Sequence, residues 1–194
     1  MIEQYFSVAS SVVLLISLAY YAWDMIAGGS KPQRVTWFLF ALISYTFLAA
    51  QIVEGSKLLE LIFTLFNSFN VTVIFLLSLR YGVGGSDRRD KVSLLVVALS
   101  LILWAVTKDP LLSLFIILFI DGIGVGLTLI KTWKQPSTEP ILMWSVSSLG
   151  ALLGIFAIES HSVLNSLFPT YIFIADALVV AIILLAKHRG AAHV

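Results

Sequence analysis

The chain has no cysteine, and charged residues make up only 12% of its 194 positions. Without cysteine there is no disulfide framework, thiolate nucleophile or cysteine-ligated metal. So little charge excludes an ordinary soluble domain, where about a quarter of residues are charged. Histidine is also scarce: His161, His188 and His193 are read as lying outside the apolar runs. Serine- or metal-hydrolase chemistry therefore lacks its base or ligand, and neither a metal site nor a cofactor is expected. The last apolar run has no mid-span lysine, which excludes a retinal Schiff base. The N-terminus lacks a basic stretch ahead of its long apolar run, so it reads as a spanning helix rather than a cleaved signal. The basic cluster Arg88-Arg89-Asp90-Lys91 is interrupted by an acid. It reads as a loop that sets topology, with weak anionic-lipid contact at most, and no nucleic-acid partner is expected.

What is abundant is apolar: 59% of residues are hydrophobic and the mean hydropathy is +1.00. Seven runs emerge, Tyr5–Met25, Val35–Val53, Leu58–Leu79, Val92–Thr107, Leu111–Ile130, Ile141–Ile158 and Val163–Ala186. A bilayer span takes about 20 residues, so the expectation is an all-α membrane protein with seven transmembrane helices. With seven crossings, one face holds Lys31, Arg34, Arg80, Arg88, Arg89, Lys91, Lys131, Lys134, Lys187 and Arg189, and the other only Lys57 and Lys108. The basic face is cytoplasmic by the positive-inside rule, which puts the N-terminus outside and the C-terminus in the cytoplasm.

A shift of 107 residues superposes Trp37 on Trp144 and Leu79-Arg80 on Ala186-Lys187, each Trp following a proline-bearing, basic connection. The halves thus read as a three-helix repeat (1–82), a basic loop and linker helix (83–109) and a second three-helix repeat (110–194). An odd linker keeps both repeats in one orientation, giving a 3+1+3 parallel repeat about an axis along the membrane normal.

Two strings carry a resemblance, Asp24…Lys31-Pro32-Gln33-Arg34-Val35-Thr36-Trp37 and Asp121…Lys131-Thr132-Trp133…Pro136…Glu139. With the 3+1+3 layout they resemble small bacterial membrane proteins related to the SWEET and PQ-loop transporter superfamily. That resemblance implies alternating access between two three-helix bundles, residence in a bacterial cytoplasmic membrane, and a pair of asparagines contacting solute. Asn70 resembles the first of that pair and Asp176 stands in place of the second. The chain departs from the pattern in having no proline within its first and fifth runs.

The residues themselves point the same way. Thr64, Asn67, Asn70 and Ser78 share a face of the third run, and Asp176 lies mid-run in the seventh, one residue short of the repeat offset from Asn70. Asp121 interrupts the fifth run, where an ionisable group is costly in lipid and marks a functional site. A proton, a sodium ion or a substrate cation is its expected partner. Asn70, Asn67, Asp176, Ser44 and Ser148 are the candidate solute-binding residues, and Asp121 and Asp176 the ion-coupling ones. Trp37 and Trp144 read as interfacial anchors. The Gly122/Gly126 and Gly150/Gly154 pairs read as close-packing GxxxG motifs. The expected function is a carrier of a small polar solute, coupled to a proton or cation, with the bilayer as its environment; homo-oligomers are compatible with this. A non-transporting sensor or scaffold is the alternative. An intramembrane aspartyl hydrolase with Asp121 and Asp176 as a dyad is a remote one.

Overall fold

A computed structural model describes residues 2–32, 34–82, 88–107, 110–134, 136, 139–159 and 162–191. They form seven helices: α1 (Ile2–Ile26), α2 (Arg34–Glu54), α3 (Leu58–Tyr81), α4 (Arg88–Thr107), α5 (Pro110–Lys134), α6 (Ile141–Phe156) and α7 (Val163–Ala191). No strand occurs among the described residues. Every expected run is recovered as a helix. Among the described residues, four segments are both long and apolar enough to cross a bilayer (Ile2–Ile26, Arg34–Glu54, Leu58–Tyr81 and Asn165–Arg189), with α6 as a shorter apolar helix.

Helix ends depart from run ends because polar residues continue the helices. The cluster from Arg88 to Lys91, expected in a loop, forms the start of α4, which extends the fourth run by a turn. His188, expected outside the spans, lies in the last turn of α7. His161, His193, Lys108 and Gln33 lie outside the described residues. α2 stops where Gly55 takes φ +82°, with Ser56 N–H on the Gln51 carbonyl at 3.0 Å and Gly55 N–H on that of Ile52 at 3.1 Å. This left-handed glycine closure satisfies the final carbonyls. Just beyond it, the Glu60 carboxylate accepts from the Lys57 backbone N–H at 3.0 Å, one half of a capping box that starts α3.

In space, α3 lies between α1 and α2, and α7 lies between α5 and α6. The two groups meet along a broad α1–α6 seam and more sparsely where α2 touches α5 and α7; α4 packs on α5 and touches α2. The seam is built from small residues. Ser7, Ser10, Ser11 and Ser17 are buried at helical spacing on α1, and Ser10 Oγ donates to the Gly150 carbonyl at 2.7 Å. Small side chains permit such backbone approach. Polar residues thus face inward, while Val8, Val12 and Ile16 of α1, Leu65, Phe69 and Leu76 of α3, and Leu178, Leu184 and Leu185 of α7 are exposed. That inversion of the soluble pattern is what an apolar solvent demands.

The glycine pairs divide. A Cβ on Gly154 would lie 2.6 Å from Phe63 Cδ2, and one on Gly150 3.0 Å from Leu14 Cδ2, whereas Gly122 and Gly126 would meet nothing within 4 Å. Only the α6 pair is a packing motif, so the same reading of Gly122/Gly126 is corrected. Gly154→Ala is expected to destabilise by about 1–3 kcal/mol through overpacking against the buried Phe63 ring. Gly122→Ala should be neutral or mildly stabilising, since a mid-helix glycine costs roughly 0.5–1 kcal/mol relative to alanine. Thermal unfolding in detergent, comparing the two variants, checks both.

Candidate functional site

A cavity lies between the two helix groups, with walls from six of the seven helices. Ser17 comes from α1, Trp37, Phe40 and Ile43 from α2, and Asn67, Asn70, Val71 and Ile74 from α3. Asp121, Val125 and Thr128 come from α5, Met143, Trp144 and Ser147 from α6, and Phe168, Tyr171, Ile172, Ala175, Asp176 and Val179 from α7. Its volume is about 90 Å³, against the roughly 10–15 Å³ on this measure that one water needs. Several waters or a small solute fit.

Four of the six expected site residues are brought together here: Asn67, Asn70, Asp121 and Asp176. Asn70 and Asp176 are buried, at 7% and 6% exposure, so any unpaired polar atom on them faces only the cavity or the packing around it. Asn70 Nδ2 donates to the Leu14 carbonyl at 3.1 Å, while its Oδ1 has no partner among the described residues. Because Leu14's carbonyl can only accept, this bond fixes which way the amide points. Asp176 has a hydrogen bond from Ser147 on one side, and among the described residues its Oδ2 has no partner. Asp121 Oδ2 accepts the hydroxyl of Tyr171. Among the described residues, no lysine, arginine or histidine lines the cavity.

Ser44 and Ser148 are not in the wall. Ser44 Oγ donates back to the carbonyls of Phe40 and Ala41 at 2.7 and 3.1 Å, and Ser148 Oγ to that of Phe173 at 3.3 Å. On α6 the lining hydroxyl is that of the adjacent Ser147, about 100° round the helix. Trp37 and Trp144, read as interfacial anchors, line the cavity. Trp37 packs on Tyr21 and edge-on to Phe40 with centroids 5.4 and 5.5 Å apart, and Trp144 Nε1 donates to Glu139 Oε2 at 3.1 Å. Tyr171 and Ser147 are the partners that the sequence reading missed. Sequence spacing gave neither away: the acid nearest Ser147 is eight residues off, and Tyr171 bonds Asp121 on another helix rather than Asp176 on its own.

One end of the cavity is sealed by aromatic rings from both helix groups. Phe168 of α7 stacks on Phe47 of α2 (centroids 4.5 Å apart) and touches Phe63 of α3 at 6.1 Å. Beyond the rings, Asn165 joins the groups again. Its Oδ1 accepts from Gln51 Nε2 at 3.1 Å and Ser56 Oγ at 2.7 Å, and its Nδ2 donates to Glu60 Oε2 at 3.1 Å. Outermost, Ser162 Oγ donates to Glu54 at 3.2 Å and Lys57 Nζ bonds Glu159 at 2.6 Å. The Glu159 carboxylate, by hydrogen bond and charge, holds the Lys57 ammonium above the usual lysine range.

At the other end, bonds within each group accompany a bond across the seam, Ser17 Oγ to the Met143 carbonyl at 3.4 Å. Arg34 donates to the Ser78 and Gly82 carbonyls at 3.1 and 2.9 Å, joining α2 to the end of α3. Arg189 donates to the Trp133 carbonyl at 3.2 Å and sits 4.4 Å over its ring. The cavity thus lies between an end latched by a relay of side-chain bonds across the two groups and an end where they meet through the Ser17–Met143 bond and the packing of Leu18, Tyr21, Met25 and Ile74 with Met143. No protein family, curated protein or solved structure matches the chain.

Proposed function

We propose that the chain is a seven-span carrier of a small polar solute that works by alternating access between two three-helix bundles, with proton or cation coupling. The observation that carries this reading is the cavity between the bundles. It holds two carboxylates, Asp121 and Asp176, and among the described residues no lining cation. Isolated acids at this depth need a partner, and a moving proton, ion or solute supplies one.

Three further features support the reading. The order α1-α3-α2 in one half recurs as α5-α7-α6 in the other, with α4 outside both, as a 3+1+3 parallel repeat resembling the SWEET and PQ-loop arrangement requires. The charge asymmetry places the Arg34 end in the cytoplasm, for a bacterial cytoplasmic membrane, and the Lys57 end outside. In that orientation the latched end is the outer one, which corresponds to an outward-closed carrier. Pro169 interrupts α7 between Asn165 and Asp176, and a mid-helix proline weakens the backbone bonding at that level.

A sensor or scaffold calls for a dry bundle in which each acid is capped. Tyr171 caps Asp121, but Asp176 Oδ2 is buried with no partner among the described residues. The aspartyl-hydrolase reading calls for two carboxylates sharing a proton, whereas here each has its own hydroxyl partner, Tyr171 or Ser147.

Because the chain has no native cysteine, a thiol at Ser147 can be titrated against a silent background. In oriented membrane vesicles, Ser147→Cys is expected to react with a membrane-impermeant maleimide from the cytoplasmic side. A slower, minor reaction should appear from the outside. Labelling from one side only, together with no saturable uptake of any amine, sugar or amino acid in proteoliposomes, would sink the carrier in favour of the scaffold.

A further inference from the structure

We propose that the cavity is a binding site for a small organic amine, carrying one protonated nitrogen, an apolar body and no anionic group. This deepens the carrier reading, on which it rests, by naming the solute class that its central site takes.

Charge comes first. Asp121 and Asp176 line one space, and their side-chain partners, Tyr171 and Ser147, are neutral hydroxyls. Hydroxyls satisfy lone pairs but bring no positive charge, so a buried carboxylate beside them remains uncompensated. An ammonium group supplies both the charge and the donors.

Hydrogen bonding narrows the class. Among the described residues, the unpartnered buried atoms on the cavity's lining residues are Asn70 Oδ1 and Asp176 Oδ2, both acceptors, on an amide and a carboxylate that are more than nine-tenths buried. Asn70 cannot turn its Nδ2 toward the ligand without breaking its bond to the Leu14 carbonyl. The site therefore asks for a donor-only group, and an ammonium has three N–H bonds and no acceptor. A polyhydroxylated solute, half acceptor, leaves its own lone pairs unmatched against these atoms.

The walls choose the body. Trp37 and Trp144 face the same space as the acids, with Phe168 closing it. Aromatic faces attract a cation within about 6 Å and pack an apolar chain. A hydrated sodium ion gains nothing from such walls. A carboxylate-bearing solute, an amino acid included, meets two acids and no lining cation among the described residues, so its anionic end is repelled.

The test uses the whole chain in detergent or nanodiscs, with 2-phenylethylammonium as the probe. Its isosteric alcohol 2-phenylethanol, the zwitterion phenylalanine and sodium chloride are the comparisons. Titration calorimetry is expected to give a Kd for the amine at least tenfold below those of all three. Asp176→Asn should weaken the amine at least tenfold, and Trp144→Leu about threefold or more, with thermal unfolding confirming that each variant is folded. Equal binding of the alcohol or of phenylalanine overturns the amine assignment, as does unchanged amine affinity in a folded Asp176→Asn protein. If the Asp176→Asn protein does not fold, Trp144→Leu and the ligand series decide on their own. Amine binding without saturable flux in proteoliposomes keeps the site and removes the carrier. Saturable flux of a neutral solute without amine binding removes the amine and keeps the carrier.

Discussion

Uptake of labelled 2-phenylethylammonium into proteoliposomes is expected to fall ten- to a hundredfold when Asp176 is replaced by Asn. The two acids should then part in how they fail. Asp176 Oδ2 is buried without a partner, so an incoming donor makes a charge-assisted bond there worth about 1.5–3 kcal/mol. Asparagine keeps the shape and loses the charge, and every 1.4 kcal/mol is a factor of ten. The loss should appear mainly as a raised half-saturation concentration. Asp121 already accepts from Tyr171, and the amide oxygen of an asparagine in its place can accept the same hydroxyl. Asp121→Asn should therefore leave half-saturation within about threefold and act on the maximal rate and its ion or pH dependence. Initial-rate measurements over a range of amine concentrations, at two external pH values, separate the two outcomes. If both variants transport like the parent chain, the carboxylates play no part in solute passage and the cavity loses its assignment.

The parts of this arrangement that could be read from sequence are those with a large energetic signature. Helices that must bury every backbone polar group announce themselves by length and hydropathy, so all seven were expected. The misplaced ends were charged turns such as that beginning at Arg88, which hydropathy cannot count. Asp121, Asp176, Asn70 and Asn67 were legible because amides and acids in an apolar run are costly enough to be rare. Ser44 and Ser148 were chosen by helical spacing alone. An apolar helix whose faces differ little does not declare its rotation, and one residue of error exchanged Ser147 for Ser148. Trp37 and Trp144 read as interfacial anchors and Tyr171 as one more apolar-run residue; that all three line the cavity depends on how α2, α6 and α7 pack. The serines of α1 did carry a signal: Ser7, Ser10, Ser11 and Ser17 share one helical face. What they approach is a tertiary fact: Ser10 and Ser17 donate to the Gly150 and Met143 carbonyls of α6, and Ser7 to that of Leu59 on α3. The latch was least legible of all, because Gln51, Ser56, Glu60 and Asn165 are separated by up to 114 positions and meet only when both helix groups close.

That latch supplies the second large effect. Ser56 Oγ lies 2.7 Å from Asn165 Oδ1, so a Ser56→Cys/Asn165→Cys pair places two sulfurs near bonding distance when the Lys57 end is shut. The chain has no native cysteine, so these are its only thiols. Mild oxidation is expected to cut uptake at least tenfold, and reductant to restore it, while either single-cysteine variant ignores the oxidant. The reason lies in which contacts can part. Around α6 the packing is tight, with Leu14 of α1 against Gly150 and Phe63 of α3 against Gly154, and it suits a pivot. The latch is a short relay of polar bonds and one stack, Phe47 on Phe168, each worth about 0.5–1.5 kcal/mol. A few such contacts hold a state without making it permanent. If loss of the Asn165 bonds keeps the pair from forming, Lys57→Cys/Glu159→Cys with a short bis-maleimide covers the same gap, since those side chains already meet at 2.6 Å. Full transport with the Lys57 end covalently shut would mean that solute does not pass between the two groups there, and the latch would be a structural tie rather than a gate.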